Sequence, residues 1–91
     1  MYIKAILFHR ALKANKQYPL KNAEITFYTS PQCTTIAKDI NNNDCVGLTD
    51  NNGKVSFEVS TNQNTVYYVK VTKMPFGYKA LDGIFTVRPC D

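Results

Sequence analysis

Asp50-Asn51-Asn52-Gly53-Lys54-Val55-Ser56-Phe57-Glu58-Val59 is the stretch whose reading decides the fold. Asn and Gly tolerate the positive φ of a tight turn, so Asp50 to Gly53 reads as a reversal of the chain. Beyond it Val55, Phe57 and Val59 alternate with Lys54, Ser56 and Glu58. A period of two is the pattern of a strand with one buried face and one wet face.

The same alternation recurs on both sides. In Ala23-Glu24-Ile25-Thr26-Phe27-Tyr28-Thr29 the set Ala23, Ile25 and Phe27 is expected to face inward, with Thr26 outward. In Tyr67-Tyr68-Val69-Lys70-Val71-Thr72 the inward set is Tyr67, Val69 and Val71, and in Ile84-Phe85-Thr86-Val87-Arg88 it is Phe85 and Val87. Turn signals separate these segments at Tyr18 to Asn22, Ser30-Pro31-Gln32, Asp39 to Asp44, Ser60 to Asn64, Met74 to Gly77 and Leu81 to Gly83. Short strands at such spacing mark an all-β sandwich or barrel. Near the start, Ile3, Leu7, Ala11 and Ala14 lie at helical spacing, but a sandwich needs a first strand to pair with. A strand from Tyr2 to His9, followed by a loop, is therefore expected.

A chain of 91 residues is one domain, spanning 1–91, with neither internal repeat nor linker. It has room for one core and little for a deep cleft beside it. No apolar run approaches the roughly 20 residues of a membrane-spanning helix. The apolar stretch Ala5 to Phe8 is too short for a secretory core. The expectation is a complete protein made in the cytoplasm or a domain cut from a longer chain. Net charge is +4, and Lys4, Arg10, Lys13, Lys16 and Lys21 all precede the first acid, Glu24. Without interleaved aromatic residues this basic quarter is not the mark of a nucleic-acid module. A membrane surface and an acidic protein are the other partners such a segment can meet, and a solvated loop that keeps the protein soluble is the ordinary reading.

Three stretches in order, Tyr18 to Tyr28, Leu48 to Phe57 and Tyr67 to Tyr78, resemble the collagen-adhesin B-type (Cna-B) domain of bacterial surface proteins. The resemblance covers about Tyr18 to Val87. It implies a single immunoglobulin-like, prealbumin-like antiparallel β-sandwich of about seven strands. Many such domains carry an internal isopeptide bond between a Lys of the first strand and an Asn or Asp at the last, with a buried acid to move the proton. Lys4 and Asp91 are the matching positions here, but Val71 stands where the acid is expected. A buried lysine must lose its proton before it attacks, so no crosslink is expected.

Other constellations point to ordinary structure. Cys33, Cys45, Cys90 and His9 are scattered, with no Cys-x-x-Cys pair of a zinc site. The odd cysteine count fits one bridge with a free thiol, or three reduced thiols. Asp39, Asn41 and Asn43 mimic the start of a calcium loop, but Asp44 occupies the place of its glycine and Asp50 that of its bidentate Glu. No phosphate loop or nucleophile elbow is present. The expected function is therefore non-enzymatic, with no cofactor, metal or small-molecule substrate. The expected role is that of a small accessory protein of a bacteriophage virion, of the capsid-decoration kind, bound to a capsid or another repetitive protein assembly. The alternative is a Cna-B-type stalk module of a Gram-positive surface adhesin or pilin, at the bacterial cell surface. Candidate partner contacts are Lys13, Lys16 and Lys21 with the outward tyrosines Tyr28 and Tyr68.

Overall fold

A computed structural model describes residues 1–11, 16–78 and 83–91. These residues contain no helix. They form eight strands: β1 (Tyr2–Ile6), β2 (Phe8–Ala11), β3 (Lys16–Pro19), β4 (Glu24–Tyr28), β5 (Val46–Leu48), β6 (Lys54–Glu58), β7 (Tyr67–Lys73) and β8 (Phe85–Val87). A four-stranded antiparallel sheet has the order β5-β4-β7-β8, and β1 pairs with β6 as β2 does with β3. Every named pairing is antiparallel.

The core lies where β1 and β6 meet the four-stranded sheet. Ile3, Val55 and Val59 come from one side, and Ile25, Phe27, Tyr67, Val69 and Val71 from the other, all buried in one cluster. The rings of Phe27 and Phe57 meet edge to face, with centroids 5.6 Å apart. Each large side chain buried there contributes about 1.5–3 kcal/mol, which makes this cluster the main support of the fold. Tyr67 keeps its hydroxyl satisfied against Thr61 Oγ1 at 2.6 Å, so its burial strands no polar atom.

The alternation of β4, β6 and β7 agrees with the expected inward sets, and the hairpin before β6 closes as its residues dictate. Gly53 has φ +74° and its N–H donates to the Asp50 carbonyl. Asp50 Oδ1 accepts from the N–H groups of Asn52 and Lys54, and these bonds hold its carboxyl below the usual value.

Two expectations need correction. Thr26 is buried, not on a wet face: β4 is an interior strand of its sheet, and Thr26 lies between Val46 of β5 and Lys70 of β7. Its Oγ1 shares a hydrogen bond with Thr72 Oγ1 at 3.1 Å. Phe85 stands opposite Val69, hence on the inner side by register, yet it is 57% exposed. β8 is an edge strand, and among the described residues no layer covers that end of it. The first strand differs in form: it is interrupted at Leu7, and β3 occupies part of the stretch that reads as a turn. Ile3 and Leu7, four residues apart, share a side in a strand as they would in a helix, which explains the double reading.

Candidate functional site

Of the expected contact residues, Tyr28 and Tyr68 stand together and Lys21 stands apart from them. Lys13 lies outside the described residues, and Lys16 starts β3, with its backbone opposite Ala11. Lys21 is exposed on a turn that the fold builds with care. Thr49 Oγ1 donates to the Leu20 carbonyl at 2.6 Å and accepts the Ala23 N–H at 3.0 Å. Asn22, between them, adopts a positive φ of 66°. Lys21 and Asn22 are thus pushed outward before β4 begins. Tyr28 and Tyr68 are direct partners across β4 and β7 and both are half-buried. They stand at the far end of β4 from Lys21, roughly a strand's length of 15–20 Å away.

A groove between β1 and β8 is the more developed feature. Tyr2 and Cys90 exchange two backbone hydrogen bonds, at 2.7 and 2.9 Å. Continued as an antiparallel ladder, this would set Lys4 against Arg88 and Ile6 against Thr86. Among the described residues no further bridge forms, so the two segments part after Tyr2. The gap they leave is about 230 Å³ and lined by Lys4 to Leu7, by Ile25, Val69 and Val71, and by Phe85 and Val87.

The hydrogen-bond parity of β1 makes one wall of this groove an open strand edge. Tyr2 directs its N–H and C=O toward Cys90, away from β6, whereas Met1 accepts from the Val59 N–H on the β6 side. In an extended strand the direction alternates, so Ile3 and Ala5 face β6 while Lys4 and Ile6 face the groove. Leu7 continues the pattern: its N–H donates to Gly53 and its carbonyl accepts from Leu20. Pro19, opposite Phe8, lacks an N–H, so the exchanged bonds of the β2–β3 pair fall to His9 and Tyr18. From Met1 through β2, the odd-numbered residues therefore bond to β6, the hairpin and β3 in succession. The main-chain groups of Lys4, Ile6 and Phe8 face the other way.

The side chains repeat this split. Ile3 is fully buried, and Ala5 and Leu7 pack against the core. Ile6 is 55% and Phe8 50% exposed, on the same side as Tyr2 and Lys4. Among the described residues Lys4 is the one charged residue in the groove lining. Its ammonium lies 6.0 Å from the centre of the Tyr2 ring, at the limit of a cation–π contact. Among the described residues the ion pair is Lys38 with Asp44, so Lys4 holds no carboxylate. Val71 lines the same groove as Lys4, and Asp91 is exposed beyond the Cys90 bridge.

The cysteines and loop acids have structural places. Cys33, Cys45 and Cys90 are all free thiols. Burial, and then the charges of Asp39 and Asp44, push the Cys45 thiol up to about 11. Asp39 Oδ1 accepts from the N–H groups of Asn41 and Asn43, which folds its loop back on itself. Among the described residues no helix is long and apolar enough to cross a membrane. Compared with family models, curated proteins and solved structures, the chain matches none.

The open edge was not anticipated from sequence, although a signal for it exists. From Tyr2 to Phe8 every residue but Lys4 is apolar. A strand apolar on both faces is a strand built to be covered on both faces. The described residues cover only one.

Proposed function

We propose that this chain is a non-enzymatic assembly protein, folded as one immunoglobulin-like β-sandwich of the prealbumin kind, that attaches to a repetitive protein assembly as a small accessory protein of a bacteriophage particle. The observation that carries this reading is the outer side of β1 and β2, where Tyr2, Ile6 and Phe8 stand exposed beside an edge whose main-chain groups have no partner among the described residues. Exposed apolar residues gathered at one place mark an interaction surface rather than a core. Multiplied over a lattice, a modest contact of this kind suffices for stable attachment. The test is cosedimentation of the purified protein with particles that lack it. Saturable binding, at a fixed number of copies per particle, supports the reading; absence of binding at any salt concentration overturns it.

The order of the three stretches from Tyr18 to Tyr78 favours a second reading, a Cna-B-type stalk module of a Gram-positive surface adhesin or pilin. The length of the native polypeptide separates the two. A long secreted parent with flanking domains supports the stalk module, and a short product found in particles supports the virion protein.

A further inference from the structure

We propose that the groove between β1 and β8 takes an extended segment of a partner protein as an added strand, one in which apolar residues alternate with polar ones and at least one residue is Asp or Glu. The inference deepens the assembly reading by naming the chemistry of the segment bound.

Three observations converge on this occupant. The main-chain N–H and C=O groups of Lys4, Ile6 and Phe8 face away from β6 and β3 and have no bridge to β8. Such an edge is a template for another strand, and folded proteins ordinarily blunt it with charge, proline or a covering loop. Of the three edge residues Lys4, Ile6 and Phe8, two are large and apolar and one is charged. In strand addition the main chain supplies affinity, and pockets for alternate side chains supply selectivity. The groove floor of Ile25, Val69 and Val71 is such a pocket, with Phe85 as its far wall.

The size of the groove and its charge narrow the occupant further. About 230 Å³ falls below the roughly 300–1,000 Å³ usual for a small-molecule site, and suits one or two aliphatic side chains. The Lys4 ammonium sits at the rim of an apolar surface and has no carboxylate partner among the described residues. An incoming acid satisfies it. A second copy of this chain is the poorer match, because each copy carries +4 and its own open edge offers another Lys4 but no acid.

The test uses the full-length protein, immobilised, to select from a random library of short displayed peptides. The best binder is then titrated against the protein in solution by amide NMR. Selected peptides are expected to alternate apolar and polar residues and to contain Asp or Glu. Their binding is expected to shift and protect the amides of Lys4, Ile6 and Phe8. Ile6→Asp and Phe85→Asp alter exposed side chains, so both variants should fold, as the core amides will report. Each should weaken the peptide about tenfold or more, the loss that follows removal of an interface anchor. Lys4→Glu should reverse the preference from acidic to basic peptides. Failure to enrich any peptide, shifts confined to another face, or concentration-dependent self-pairing through β1 would each overturn the proposal. The two readings fail separately. If Ile6→Asp loses the peptide but still coats particles, the groove is not the attachment site and the particle reading stands. If the peptide binds as expected but particles are never coated, the particle reading falls and the groove stands.

Discussion

The Leu7 N–H donates to the Gly53 carbonyl at 2.7 Å, and the Leu7 carbonyl oxygen sits where a β-carbon on Gly53 would have to go. The hairpin that starts β6 is thereby clasped to the joint between β1 and β2. Only glycine fits, because φ there is +74° as well as the space being filled by backbone.

Gly53→Ala is therefore expected to destabilise the protein by about 2–4 kcal/mol. A left-handed backbone costs an L-residue roughly 1–2 kcal/mol, and forcing atoms into filled space costs roughly 1–3. Urea unfolding of the two proteins measures the difference. A loss below about 1 kcal/mol would mean that the clasp yields without strain.

The core and the covered outer face of β4 make a second, paired expectation. Phe27 is fully buried and packs on Phe57, so Phe27→Ala should cost about 3–5 kcal/mol. Thr26→Ala removes one shared hydroxyl bond, but Thr72 Oγ1 keeps Glu24 Oε1 at 2.6 Å. Its cost should be near 1 kcal/mol. Equal losses at the two sites would contradict the register of β4 against β7.

The thiols provide a third. Cys90 is exposed and Cys45 fully buried. With a colour-forming disulfide reagent at neutral pH, Cys90 should react at once and Cys45 only as the protein unfolds. The sign of the pH effect follows from the raised thiol value, about 11 against an ordinary 9.0. The unfolded chain releases this proton first, so the stability that buried Cys45 lends is complete below 9.0 and declines between 9.0 and about 11. Cys45→Ala should flatten that part of the stability profile. Rapid labelling of all three thiols in the folded protein would show that the core around Cys45 opens easily.

Much of this architecture was legible in sequence because alternation and turn chemistry are local. Val55 and Val59, Ile25 and Phe27, and Val69 and Val71 declare their inner side by spacing alone, and Asp50 to Gly53 declares the turn. Where the reading went astray, the cause is position within a sheet. Thr26 alternates like a wet residue but lies on a strand flanked on both sides. Phe85 alternates like a core residue but lies at an edge. Strand order is a long-range property that no window of a few residues contains. The groove was hidden for the same reason. It depends on β1 and β8 parting after Tyr2 and Cys90, residues at opposite ends of the chain.

The last prediction concerns how the protein docks. Its +4 charge is concentrated before Glu24, and Lys21 projects from the Leu20–Ala23 turn. Charge at the rim of a contact steers encounter and suppresses wrong partners more than it adds affinity. Attachment to an acidic particle should then form faster at low salt and slow as the Debye length falls to about 8 Å at physiological ionic strength. Changing Lys13, Lys16 and Lys21 together to Glu should reduce the association rate and its salt dependence, while the dissociation rate changes little. Ile6→Asp should do the reverse, because Ile6 lines the apolar groove and a lost apolar anchor is felt in dissociation. Both rates can be followed by surface-immobilised particles exposed to each variant at two salt concentrations. If the triple change leaves association unaltered at low salt, the basic segment plays no part in docking. If Ile6→Asp leaves dissociation unaltered, the groove is not what holds the protein in place.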